Sequence, residues 1–118
     1  MKTYLFVMRR LPHLTSHVQE TLDQMLTTAA FDQSVSVLFV DDGVFQLKQG
    51  QKPAQMVLRN TAAMFTALEM YDITRIYAEA ESLSARGLDA DDLILPVKIV
   101  SRAEVNDLLK QHQVLIPD

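Results

Sequence analysis

Two stretches of this chain, Thr3-Tyr4-Leu5-Phe6-Val7-Met8 and Val35-Ser36-Val37-Leu38-Phe39-Val40, are apolar nearly throughout. Runs of this kind suit strands buried on both faces, because a strand with one wet face alternates apolar and polar residues. Between them, Val18, Leu22, Met25, Leu26, Ala29 and Ala30 fall on one face of a helix that Thr15 or Ser16 can cap and that runs to about Phe31. A strand, a helix and a second buried strand of this length imply a right-handed parallel crossover. The rest of the fold has to be compatible with that unit.

Further along, Ile73 to Ala78 reads as a third strand, and Ser82-Leu83-Ser84-Ala85-Arg86-Gly87 as a short helix whose glycine suits a left-handed cap. A fourth strand begins at or after Pro96, since proline cannot donate within a central strand. Ser101 with Glu104 forms a capping box that opens a helix through Val105, Leu108 and Leu109, and Val114-Leu115-Ile116 closes the chain as a fifth strand. The expectation is a three-layer α/β/α fold with a mostly parallel five-stranded sheet. Crossover handedness leaves the order of the strands open.

One stretch fits this pattern less simply. After Asp41-Asp42-Gly43 ends the second strand, a connection running from Val44 to Pro53 is long for an α/β unit and carries apolar residues that need an explanation. The helix expected over Ala54 to Met70 is apolar around more than one face. Val44, Phe45 and Leu47 from the connection, with Met56, Met64 and Phe65 from the helix, are therefore candidate interface residues.

At ~100–200 residues per domain, a chain of 118 residues is one domain spanning 1–118. The longest apolar run is about five residues, far short of the ~20 of a membrane span. The first residues hold no signal-peptide core, so a cytoplasmic protein is expected. The absence of cysteine excludes disulfides, thiolate zinc sites, iron–sulfur ligation and a cysteine nucleophile on this chain. A formal charge of −4 provides no field for a phosphate backbone, so direct nucleic-acid binding is not expected.

Ligands of parallel sheets gather at the carboxyl ends of strands. Here that rule selects Arg9 and Arg10, then Asp41, Asp42 and Gly43, then Glu79, Glu81 and Ser82, as a candidate pocket. Asp41 and Asp42 could ligate a hard cation, but neighbours on a strand point oppositely and no third ligand is placed. An aspartate turn bonding nearby amides is the simpler reading. The arginine pair could receive an anion or stand as a solvated loop. His13 and His17 are spaced i,i+4, yet His13 falls before the helix cap, and His112 suits a helix C-terminus. No Walker A, dinucleotide-binding or nucleophile-elbow spacing occurs. No catalytic residue, metal or cofactor is assigned.

Several segments, in order, resemble the DsrE/DsrF-like family of small sulfur-relay proteins, most closely its TusC/DsrF branch. They are Phe6-Val7-Met8-Arg9-Arg10 with Pro12-His13, Ser36 through Leu47, Gly50-Gln51-Lys52-Pro53, Tyr71-Asp72-Ile73, and Ser82 through Leu88. In related active subunits a sulfur-accepting cysteine stands just after the third strand, eight residues before the glycine of an Arg-Gly pair. Counting back from Gly87 puts Glu79 at that position. A carboxylate cannot form a persulfide.

The resemblance therefore implies a non-catalytic companion subunit of a TusBCD-type heterohexamer. Its partners would be TusB-like and TusD-like subunits in a dimer of heterotrimers that relays sulfur toward 2-thiolation of the tRNA wobble uridine. The same branch includes DsrF-type subunits of DsrEFH complexes in dissimilatory sulfur oxidation. Two other readings use no such partners. One is a small ligand-binding or metal-dependent protein using Asp41, Asp42 and Glu79. The other is a homo-oligomeric scaffold using the apolar helix.

Overall fold

The computed structural model describes residues 2–9, 17–31, 33–47, 68, 70–89 and 97–117, without the side chains of 17–19, 22, 46 and 47. The elements are β1 (Thr3–Met8), α1 (His17–Ala30), β2 (Ser34–Phe39), a 3-10 helix (Asp41–Leu47), β3 (Arg75–Glu79), α2 (Ala80–Ala85), β4 (Lys98–Val100), α3 (Arg102–Gln111) and β5 (Val114–Pro117). Most of the helix expected over Ala54 to Met70 lies outside the described residues, as do Arg10, His13, Thr15, Ser16, Met56, Met64, Phe65 and Pro96.

The five strands form one sheet in the order β4-β3-β2-β1-β5. Every ladder is parallel, with Phe6 opposite Val37, Val37 opposite Ile76, Ala78 opposite Ile99, and Leu5 opposite Leu115. The chain thus steps outward from β1 to β4, then returns by way of α3 to lay β5 on the other side of β1. Strand order changes direction at β1, and such a point is where parallel sheets open a crevice.

Alternation along the central strands sends residues to two different cores. Phe6, Met8, Val35, Val37 and Phe39 meet Met25 of α1, Leu83 of α2 and Leu88 on one face. Leu5, Leu38, Val40 and Val100 meet Val105 and Leu108 of α3 on the other. Burying a side chain such as Phe6 or Phe39, both fully enclosed, is worth about 1.5–3 kcal/mol each. Three layers follow, as the apolar runs require.

Two junctions fix the carboxyl edge of the sheet. Asp41 leaves β2 with a positive φ of 51°, a conformation that aspartate tolerates better than most residues. The 3-10 helix that follows packs so closely on β1 that a Cβ at Gly43 would lie 1.9 Å from the Met8 carbonyl oxygen. Its Val44 is fully buried in the core beneath α1 and α2, and Phe45 packs partly buried against the same cluster. The apolar residues of this connection, expected at an interface, thus include one, Val44, that closes the chain's own core.

The second junction is the end of α2. Gly87 has φ 68°, the Gly87 N–H donates to Ser84 O at 3.2 Å and the Leu88 N–H to Leu83 O at 3.0 Å. This pair of bonds is a Schellman stop, and Leu83 and Leu88 supply the apolar contact that accompanies it. The helix starts at Ala80, two positions ahead of the expected Ser82, so Glu79 is both the last residue of β3 and the cap of α2.

Candidate functional site

The site forms where the carboxyl ends of β1, β2 and β3 meet the first turn of α3. Glu79 is 5 % exposed, an unusual position for a carboxylate. It makes no capping bond to α2. Instead the Ser82 hydroxyl, one turn on, donates to Glu79 Oε1 at 2.6 Å, and the Asp41 backbone N–H donates to Ser82 Oγ at 2.8 Å. An amide, a hydroxyl and a carboxylate in series tie the exit of β2 to the exit of β3. Ser82 both donates and accepts in this chain of bonds, which holds it as a link rather than as an activated nucleophile.

The Arg102 guanidinium reaches the same Glu79 oxygen from α3, at 3.5 Å, with its own side chain 68 % exposed. That separation is at the outer limit of a hydrogen bond. Arg102 is more firmly held through its backbone, whose N–H donates to both carboxylate oxygens of Glu81 at 3.0 and 3.1 Å. A carboxylate at a helix start is favourable because the first amides there lack intrahelical partners. Glu81, selected from the sequence as a pocket residue, is therefore an inter-element cap for α3.

Asp42 turns away from this group and pairs with Arg86, Oδ1 to Nε at 3.1 Å, while Arg86 also donates to the Ser82 carbonyl at 3.2 Å. Asp41 and Asp42 thus diverge, as adjacent residues do, and among the described residues no three His, Cys, Asp or Glu side chains converge to hold a metal. His112 ends α3, ring nitrogen 2.7 Å from the Leu108 carbonyl, and takes no part in the site.

Arg9, Asp41, Glu79 and Arg102 line one cavity of about 310 Å³, with Val7, Leu38, Val40, Val105 and Leu109 as its apolar part. Of the residues selected from the sequence, this cavity gathers Arg9, Asp41 and Glu79. Ser82 lies directly behind Glu79, whereas Asp42, Gly43 and Glu81 serve the junctions around it and Arg10 lies outside the described residues. Arg102, Val105 and Leu109 were not selected. They arrive from the far end of the chain, and only the Ser101–Glu104 box, which fixes where α3 starts, hinted that Arg102 would stand at a helix N-terminus.

Residues 2–117 match the DsrE/DsrF-like family. The chain is 37% identical over 114 residues to a "Protein TusC homolog" of Vibrio vulnificus, covering 97% of this chain and 95% of that one. It is 44% identical over 89 residues to "Protein TusC" of Escherichia coli O157:H7, covering 75% of each. To the "Intracellular sulfur oxidation protein DsrF" of Allochromatium vinosum it is 42% identical over 94 residues, 80% of this chain and 69% of that one. In three dimensions it resembles the ychN protein from E. coli, with a TM-score of 0.85, 17% identity and full coverage of both chains, a likeness of fold.

Proposed function

The chain belongs to the DsrE/DsrF-like family, and we propose that within it this protein is a companion subunit of a TusBCD-type sulfur relay rather than its sulfur carrier. Its partners are a TusB-like and a TusD-like subunit, assembled as a dimer of heterotrimers in the cytoplasm. The complex passes sulfur toward 2-thiolation of the tRNA wobble uridine. The observation that carries this reading is Glu79. At the position where the resemblance places a sulfur-accepting cysteine, this chain holds a carboxylate buried and engaged by Ser82 and Arg102, and it has no cysteine to replace it. Sulfur must therefore travel on a partner's thiol.

Deleting the gene and measuring 2-thiouridine in bulk tRNA tests this function. Loss of the modified base, restored by the cysteine-free protein itself, is the expected outcome. Unchanged 2-thiouridine would remove the tRNA assignment. In that case the DsrF relative favours a subunit of a DsrEFH-type complex in dissimilatory sulfur oxidation, and stored sulfur would fail to be consumed in the deletion strain. For the interface, Phe45 is the described candidate, half-buried at the edge of the core. Phe45→Ser is expected to weaken assembly on gel filtration while the isolated chain still melts cooperatively. Undiminished assembly would place the contact elsewhere.

A further inference from the structure

The cavity beneath the first turn of α3 sets charged groups beside an aliphatic floor. Its buried wall is a carboxylate, Glu79, whose two contacts among the described residues, the Ser82 hydroxyl and the distant Arg102 guanidinium, both fall on one oxygen. A buried carboxylate needs a close cation, and among the described residues this one has a contact at 3.5 Å from a side chain that is mostly in solvent. Asp41 adds a second acid, and Arg9 and Arg102 add two guanidinium groups to the same lining. The remainder is aliphatic, from Val7, Leu38 and Val40 of the sheet side and Val105 and Leu109 of α3.

Acids and bases in equal number around an aliphatic floor disfavour a simple anion, which the two carboxylates repel, and a simple cation, which the two guanidiniums repel. They suit a molecule that carries both charges and an apolar body. The volume, about 310 Å³, equals the share of about ten water molecules in the liquid and stands at the small end of ligand pockets. We infer that this cavity binds an aliphatic α-amino acid. The ammonium sits against Glu79 and Asp41, the carboxylate draws in Arg102 and Arg9, and the side chain covers the aliphatic floor.

The test is an amide-resolved NMR titration of the full chain with L-leucine and with three molecules that each lack one feature. These are isoamylamine, without the carboxylate, isocaproate, without the ammonium, and glycine, without the side chain. L-leucine is expected to shift the amides of Val7, Val40 and Val105 saturably, and each truncated molecule to bind at least roughly tenfold more weakly, the loss of about 1.4 kcal/mol. Glu79→Gln and Arg102→Ala are each expected to weaken leucine by a similar factor. If Glu79→Gln does not fold, Arg102→Ala decides, because its side chain is largely in solvent. No saturable shift with leucine, equal binding of any truncated molecule, or unchanged binding by Arg102→Ala would overturn the assignment.

Discussion

The two ends of the sheet are built differently. At the carboxyl end, charged and hydroxyl groups from the 3-10 helix, β3, α2 and α3 join as Asp41–Ser82–Glu79–Arg102 beside a cavity of about 310 Å³, with Asp42–Arg86 and Glu81–Arg102 at the junctions around it. At the amino end, wider hollows of about 610 and 550 Å³ are bordered by Tyr71 and by Phe31. These aromatics, with Met70, are left 46 %, 73 % and 85 % exposed. The strands there are tied by glutamine amides, Gln33 accepting from Lys2 N at 2.9 Å and Gln113 from Thr3 N at 3.1 Å. Size alone would select the amino end. Chemistry needs convergent groups held by several elements, and among the described residues Arg9, Asp41, Glu79 and Arg102 come together at the carboxyl end.

If that contrast is right, substitutions at the carboxyl end should cost far more than those at the amino end. The largest effect is expected from Gly43→Val, because the new side chain meets the Met8 backbone rather than a movable group; a loss of roughly 3 kcal/mol or more is expected in urea unfolding. Glu79→Ala comes next, leaving the Ser82 hydroxyl without its acceptor inside the protein, at a cost of about 1–3 kcal/mol by the same measurement. Retained stability in either variant would mean that the carboxyl-end network is not what fixes this edge.

Smaller effects sharpen the comparison. Ser101→Ala removes the hydroxyl that accepts from the Glu104 N–H, an expected loss of about 1 kcal/mol. The capping box also has a pH signature. The Ser101 backbone N–H donating to Glu104, together with the Ser101 hydroxyl, holds that carboxyl below the usual carboxylate range. Its contribution is therefore fully present above that range and is lost as pH falls through it toward the lowered value. In a melting series, the gap between wild type and Ser101→Ala should narrow below about pH 4, near the ordinary carboxylate value. At the amino end, Phe31→Ser is expected to change stability by no more than ~0.5 kcal/mol, since the ring is mostly in solvent. A large loss there would erase the distinction between the ends.

Much of this organisation is legible in the sequence, for identifiable reasons. β1 and β2 are readable because strands buried on both faces must be apolar at nearly every position, and β2 departs from expectation by one residue at each end. Ser101, Glu104 and Gly87 announce their caps because each needs a specific side chain, or the lack of one. The candidate pocket was partly legible, since the carboxyl-end rule selects Arg9, Asp41 and Glu79 without knowledge of strand order.

What the sequence conceals depends on long-range placement. Arg102 lies 23 positions from Glu79 and reaches it only because α3 starts from β4, beside β3, an arrangement set by the order β4-β3-β2-β1-β5. Val44 reads as surplus apolar surface because a 3-10 turn has no long period to betray which way it faces. In the structure it seals the core. Ser36 is similarly deceptive. It sits in an apolar run, fully buried, with a hydroxyl that has no hydrogen-bond partner among the described residues.

In the proposed function, sulfur is carried by a partner and not by this chain. Purifying the tagged protein from its own cells under mild salt, followed by native mass spectrometry, tests it most directly. The expected result is two other small subunits in equal amount, one of them heavier by a sulfur atom on a cysteine, with this chain at its unmodified mass. A chain that arrives alone, as a monomer or a homo-oligomer, would contradict it.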